Sequence, residues 1–223
     1  MDFGRDALWR GLGAPEKVKV VYYHADAKAL WDVPAGLYKR IARRFLENCE
    51  QLGLEVIHLT LDGCEGWGHR TVHFAGLDPA HVVYNREVCF TKFLRTAPDG
   101  EYLFTEPDSQ ILRPVEPTDA DCMMLYRHDS GPHICPALRL ARPSALPIFQ
   151  RVRDAIAGMT ADRRAWHGDS VAFADLYTRI GQPTNTGTYA LGEVSIELRR
   201  YTDYMKGPAM RFWKNSRKLE MVQ

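Results

Sequence analysis

Apolar residues follow two rhythms along this chain. Val18, Val20, Val21, Tyr22 and Tyr23 form a run of β-branched and aromatic side chains broken only by Lys19, which predicts a strand buried on both faces. After a polar stretch from His24 to Gly36, Leu37, Tyr38, Ile41, Ala42, Phe45, Leu46, Cys49 and Leu52 recur at three- and four-residue spacing, with Lys39, Arg40, Arg43, Arg44 and Glu47 between them. That period predicts an amphipathic helix, stopped at Gly53. Leu54 to Thr60 returns to the strand rhythm, so the beginning of the chain predicts a β-α-β unit of the length a parallel crossover needs.

Asp62 to Asp78 is Gly-rich and predicts irregular structure, followed by an extended stretch near His81 to Tyr84 and a helix from Asn85, its expected N-cap, to Leu94. Glu101 to Phe104, Gln110 to Val115, Asp121 to Tyr126 and Ala137 to Ala141 predict further extended segments, with a polar loop over Arg127 to Pro136. Ser144 opens a helix with Pro147 in its first turn, and a second helix spans Asp169 to Ile180 and ends at Gly181. Tyr189 to Leu191 and Val194 to Leu198 are again strand-like. Strands alternating with helices predict an α/β fold: one Rossmann-like domain over residues 1–223, with a mixed, mainly parallel sheet flanked by helices. Residues 1–16 form an N-terminal extension and residues 199–223 a basic C-terminal segment.

Composition narrows the function classes. With 45% hydrophobic and 26% charged residues, the 223-residue chain is globular rather than disordered. Its 29 basic and 28 acidic residues leave a net charge of +1, so no global field recruits a polyanion or a membrane surface. Residues 199–223 alone carry +5, and the rest of the chain −4. The five cysteines are scattered and never paired as Cys-x-x-Cys, a pattern of reduced thiols, and no run approaches the roughly 18 apolar residues of a membrane span. A cytoplasmic location is expected.

The chemistry concentrates at Glu101-Tyr-Leu-Phe-Thr-Glu-Pro-Asp-Ser-Gln-Ile-Leu-Arg-Pro114. A hydrophobic strand delivers two carboxylates, Glu106 and Asp108, at its C-terminal end, where open α/β sheets bind ligands. Such oxygens suit Mg²⁺ or Mn²⁺, whose remaining ligands are usually water and phosphate oxygens. The same Glu-Pro-Asp-Ser stretch is also ordinary turn chemistry.

The order of a β-α-β unit, a helix and an apolar strand ending in acid-x-Asp, then Ile-Leu-Arg-Pro, resembles the GT-A class of nucleotide-diphospho-sugar glycosyltransferases, whose Asp-x-Asp signature becomes Glu106-Pro107-Asp108 here. The resemblance continues over residues 17–215. Pro136 to Ser144 is similar to the family's acceptor-side strand. Trp166-His-Gly-Asp-Ser170 is similar to its Trp-x-x-Asp-Gln segment, with Ser170 in place of Gln. Tyr204 to Pro208 and Lys214 are similar to its C-terminal His-x-x-Gly-x-x-Lys element, without the His.

The resemblance implies a nucleotide-diphosphate sugar as donor and Mn²⁺ or Mg²⁺ as cofactor. It places Glu106 and Asp108, with Asp203 in place of the missing His, at the metal, and Lys206 and Lys214 at the diphosphate. Tyr23, His24 and Asp26 then face the base and ribose, and Arg86 and Lys92 are further diphosphate or base contacts. Asp169 is the candidate general base, although it also stands where an N-cap would. Trp31, Trp67, Trp166 and Trp213 are candidates to line a sugar site. The acceptor could be a small molecule, a glycan, a protein or a modified nucleic acid.

Two rivals share parts of this pattern. A sugar nucleotidyltransferase would use the same sheet and metal logic, but His24 to Gly36 lacks its Gly-rich phosphate loop. A nucleic-acid-binding module would use the basic C-terminal segment, with Tyr201, Tyr204, Phe212 and Trp213 as stacking groups.

Overall fold

The computed structural model describes residues 18–25, 36–113, 115–127, 134–205 and 210–212. Asp26, Trp31, Lys206, Trp213, Lys214, the N-terminal extension and the end of the basic segment lie outside the described residues. In chain order the elements are β1 (Lys19–Tyr23), α1 (Leu37–Gln51), β2 (Val56–Leu61), β3 (Arg70–Phe74), α2 (Val82–Thr96), β4 (Tyr102–Thr105), β5 (Ser109–Ile111), β6 (Cys122–Tyr126) and β7 (Ile134–Ala141). There follow α3 (Leu146–Ala157), entered through a 3-10 turn at Pro143–Ala145, then α4 (Ala161–Ala165), α5 (Gly168–Arg179), β8 (Gly187–Leu191), β9 (Val194–Arg200), α6 (Tyr201–Met205) and β10 (Met210–Phe212).

Eight strands form one sheet in the order β3-β2-β1-β4-β7-β6-β9-β8. Six of them run the same way, with β7 and β8 antiparallel to their neighbours, so the sheet is mixed and mainly parallel. β5 and β10 make a separate antiparallel ribbon. From β1 the chain winds outward to β2 and β3, then returns to place β4 on the other side of β1. Strand order reverses at the β1/β4 boundary, and open α/β sheets bind their ligands outside the C-terminal ends of the strands at such a switch point. Tyr22 pairs with Thr105 there, so Tyr23 and Glu106 leave the sheet side by side.

Alternation along the strands divides the core into two layers. Val20 and Tyr22 of β1 and Leu103 of β4 pack with Ile41 and Phe45 of α1. Val21, Tyr23 and Phe104 face the opposite layer, with Phe90 and Phe93 of α2, Phe149 of α3 and Phe173 of α5. Phe104 is wholly buried, its ring 5.0 Å from Phe90 and 4.8 Å from Phe149. Burial on both faces is why these strands read as continuous apolar runs.

Four sequence expectations change. The segment from Asp62 to Asp78 contains β3, an edge strand with only half-buried or exposed positions, so too few apolar residues mark it. Val82 to Tyr84 are helical, and His81 rather than Asn85 precedes the helix; packing of the first turn overrides the strand preference of Val-Val-Tyr. Asn85 instead donates from Nδ2 to the Asp78 carbonyl at 2.7 Å. β7 begins at Ile134, inside the expected loop, and Ala161–Ala165 form a helix too short for periodicity to reveal. All five cysteines are free, and no described helix is long and apolar enough to cross a membrane.

Candidate active site

The loop between β4 and β5 carries the paired acids. It is held closed by Ser109, whose backbone N–H and hydroxyl both donate to the Glu106 carbonyl, at 3.2 and 2.6 Å. The Thr105 hydroxyl lies 3.1 Å from that of Ser109. Asn48 of α1 then clamps β5 from the side, accepting from the Ile111 N–H at 2.8 Å and donating to the Ile111 carbonyl at 2.9 Å. Glu106 and Asp108 are therefore presented by a braced turn. Asn48→Ala leaves both backbone groups of the buried Ile111 without that side chain and is expected to cost about 1–3 kcal/mol. Chemical denaturation measures the loss, and wild-type stability in this variant would show that the clamp is dispensable.

Arg86, in the first turns of α2, joins that loop to α5. Its Nε donates to Glu87 at 2.9 Å, its Nη2 to Asp169 at 2.7 Å, and its Nη1 to Glu106. Glu87 in turn accepts two bonds from Arg139 of β7, at 2.7 and 2.8 Å. Burial works against the Arg86 charge, but the carboxylates of Glu87, Asp169 and Glu106 outweigh it and hold its pKa above the ordinary arginine value. Burial likewise opposes the Asp169 charge, and the Arg86 guanidinium more than offsets it, keeping the carboxyl below the usual carboxylate range. For Glu87, Arg139 and then Arg86 reverse the effect of burial in the same direction.

These low values set a pH dependence. A carboxylate whose folded pKa is depressed stabilises fully above its unfolded value, about 4, and the contribution is lost as pH falls through the folded value. The melting temperature is therefore expected to hold from about pH 7 to 5 and to fall below about pH 4. Thermal scans across that range test the sign, and a melting temperature that rises on acidification would contradict it.

At the end of β1, Tyr23 is buried against α2, and burial pushes its phenol well above the usual range. His24 is also buried; its ring stacks on half-buried Trp67, with centroids 5.3 Å apart and planes at 19°. Beneath them lies His58, whose Nδ1 accepts from the Trp67 N–H at 3.0 Å. That bond fixes the neutral tautomer, so the Nε2–H donates to the His24 carbonyl at 2.9 Å. Tyr22 stacks on His58 at 4.7 Å and 10°. A stack of near-parallel rings thus runs from Tyr22 in the core through His58 and Trp67 to His24 at the C-terminal end of β1.

The structure brings Arg86, Glu106 and Asp169 into direct contact, with Asp108 on the same loop and Tyr23 and His24 on the adjoining strand end. It does not bring Lys92 there: that side chain is exposed nearly two helical turns past Arg86, its ammonium 5.9 Å from the Phe74 ring centroid. Asp203 is exposed on α6, which packs against β6 and β9. Helix α5 begins at Gly168 with His167 before it, so Asp169 lies inside the first turn rather than at the cap. Trp166 is half-buried, its ring edge-on to His167 at 5.5 Å. Sequence reasoning missed Glu87 and Arg139. The available signal was charge in apolar surroundings, Arg139 between Leu138 and Leu140, and Glu87 before Val88.

Four carboxylates (Glu87, Glu106, Asp108 and Asp169) against two guanidiniums (Arg86 and Arg139) leave the rim and the layer beneath it at −2. Hard oxygen donors with that residual charge fit a divalent cation such as Mg²⁺ or Mn²⁺. Among the described residues no three His, Cys, Asp or Glu side chains are grouped so as to hold a metal ion by themselves. Burial pushes the thiols of Cys49, Cys89 and Cys122 up to about 12, which makes them poor nucleophiles and ligands near neutral pH.

No protein-family model matches the sequence, and no curated protein matches it. Solved structures do. A glycosyltransferase involved in the glycosylation of the major capsid of PBCV-1 superposes with a TM-score of 0.56 at 10% identity, over 93% of this chain and 97% of that one. The glycosyltransferase GlyE of Streptococcus pneumoniae TIGR4 superposes with a TM-score of 0.58, also at 10% identity, over 90% of this chain. The match covers 55% of GlyE, so the present chain corresponds to about half of that protein. The likeness is one of fold: the mixed, mainly parallel sheet flanked by helices is shared with these two glycosyltransferases.

Proposed function

We propose that this protein transfers a sugar from a nucleotide-diphosphate donor to an acceptor hydroxyl, with Mn²⁺ or Mg²⁺. The observation that carries this reading is the Arg86 fork, which holds the acid of the β4 loop and the acid of α5 together at the end of the sheet where strand order reverses. The C-terminal end of β1, where Tyr23 and His24 leave the sheet, is the proposed side for the base and ribose, and Asp26 is a further proposed contact. The diphosphate then passes over the β4 loop, where Glu106 and Asp108 would hold the ion and Asp203 would supply a further ligand. Bound there, the ion stabilises the negative charge of the departing nucleoside diphosphate.

The chain's own residues provide the rest. Arg86 fixes the spacing of the two carboxylates and would add fixed positive charge on the side of the breaking glycosyl-phosphate bond. Lys206 and Lys214 are the proposed cations at the diphosphate. Asp169 accepts from Arg86 through Oδ2 and from the Ser170 N–H through Oδ1, and a carboxylate has further lone pairs for an acceptor hydroxyl. Held ionised by the Arg86 guanidinium, it is the proposed general base for that hydroxyl.

The test is incubation with UDP- and GDP-linked sugars and Mn²⁺, monitoring nucleoside diphosphate release. Metal-dependent release, abolished by Asp108→Ala, is expected. No release from any sugar nucleotide by a protein that also fails to bind nucleoside diphosphates would overturn the proposal.

A further inference from the structure

Beneath the rim lies a pair of charges too deep to touch a substrate. The Glu87 side chain is wholly buried, and Arg139 is 1% exposed with an Nε that has no hydrogen-bond partner. The Arg139 guanidinium lies among three phenyl rings, 4.9 to 5.2 Å from the centroids of Phe149, Phe90 and Phe173. Stability alone does not explain such a pair, because well-packed apolar residues of similar volume generally stabilise a core at least as well as a buried ion pair.

Its geometry does give it a task. Glu87 Oε1 accepts from both Arg139 Nη2 and Arg86 Nε, at 2.8 and 2.9 Å. A guanidinium is planar and its five N–H bonds form a fixed fork, so anchoring Nε sets where both Nη groups point. On Arg86 those groups hold Glu106 and Asp169. Glu87 needs a second cation if it is to anchor Arg86 without neutralising it, and Arg139 is that cation. We propose that the buried Glu87–Arg139 pair is a positioning layer: it fixes the plane of the Arg86 guanidinium and, through it, the placement of the Glu106 and Asp169 carboxylates. Its consequence for turnover rests on the function proposed above, whereas its effect on Arg86 does not.

Two double variants separate positioning from structural support. E87M/R139M removes the ion pair and leaves Arg86 Nε without an acceptor. E87Q/R139M removes the same charges but retains an amide oxygen for Arg86. Nitrogen-15 NMR follows the Arg86 Nε–H, assigned by its absence in R86K, and nucleoside diphosphate release from UDP- and GDP-sugars with Mn²⁺ is measured in parallel. In E87M/R139M, exchange of that proton with water is expected to rise at least tenfold and kcat to fall at least tenfold with little change in KM. E87Q/R139M, which keeps an acceptor for Arg86 Nε but not the guanidinium that holds it, should show changes in both at least threefold smaller than those of E87M/R139M. Equal exchange in two folded double variants would overturn the proposal. Should E87M/R139M not fold, R139K carries the comparison, because one ammonium cannot bind Glu87 in bidentate fashion; faster exchange of the Arg86 proton supports the positioning role and wild-type exchange refutes it. Absence of nucleoside diphosphate release from the wild-type protein would count against the proposed function alone, since the NMR result still decides the role of the pair.

Discussion

Arg86→Met is expected to abolish sugar transfer and to destabilise the fold by about 3–5 kcal/mol, the range for removing one partner of a buried ion pair. Three carboxylates lose a charge-assisted bond at once. Glu87 keeps Arg139, but Asp169, with an 11% exposed side chain, loses its guanidinium and, among the described residues, keeps the Ser170 N–H bond on Oδ1. Burial then acts on Asp169 without its main counterweight, so its pKa rises and the ionised form is disfavoured. Arg86→Lys separates the two consequences. An ammonium restores charge and much of the stability, but as a point donor it cannot set the separation of Glu106 and Asp169 as a planar fork does. Denaturant unfolding and nucleoside diphosphate release together decide the matter. Wild-type stability in the Met variant, or full turnover in the Lys variant, would contradict the central role given to this side chain.

A single methyl group at Gly168 is expected to have the next largest effect. A Cβ there would clash with the Arg163 carbonyl oxygen and lie 3.3 Å from an Ile156 methyl carbon. The first contact is with backbone, so relief requires α4 and the start of α5 to move apart. The preceding residue has no slack either, because His167 already adopts a left-handed φ of 60°. Gly168→Ala is expected to cost about 3 kcal/mol, at the upper end for forced overpacking, and to pull Asp169 away from Arg86. A drop in turnover larger than any change in nucleotide binding would follow, since the donor contacts lie on other elements. A variant with the wild-type melting temperature and turnover would show that the α4–α5 junction is not tight.

Much of the fold was legible because both faces of the central sheet are covered. The buried strands β1, β2, β4 and β6 appear as apolar runs, and α1 and α3 as clear three- and four-residue periods. The edge was not legible for the complementary reason: β3 buries little, so nothing in Arg70 to Phe74 marks a strand against its Gly-rich flanks. At the site, Glu106, Asp108 and Asp169 stood out by their positions after a strand and before a helix. Their union through Arg86 could not be read, because it spans 83 residues from Arg86 to Asp169. Lys92 shows the converse, since it shares a helix with Arg86 but its ammonium rests over Phe74 on the outside. Glu87 and Arg139 were hidden by the usual expectation that charged side chains are solvated, which holds unless they are paired.

The most direct measurement is calorimetric titration with UDP and GDP, with and without Mn²⁺, on the wild-type protein and on the Glu106→Ala plus Asp108→Ala variant. Binding of at least one nucleotide that requires Mn²⁺ in the wild type and disappears in the folded variant is expected. Metal-dependent binding that survives both substitutions would contradict the assignment of the β4 loop as the ion site.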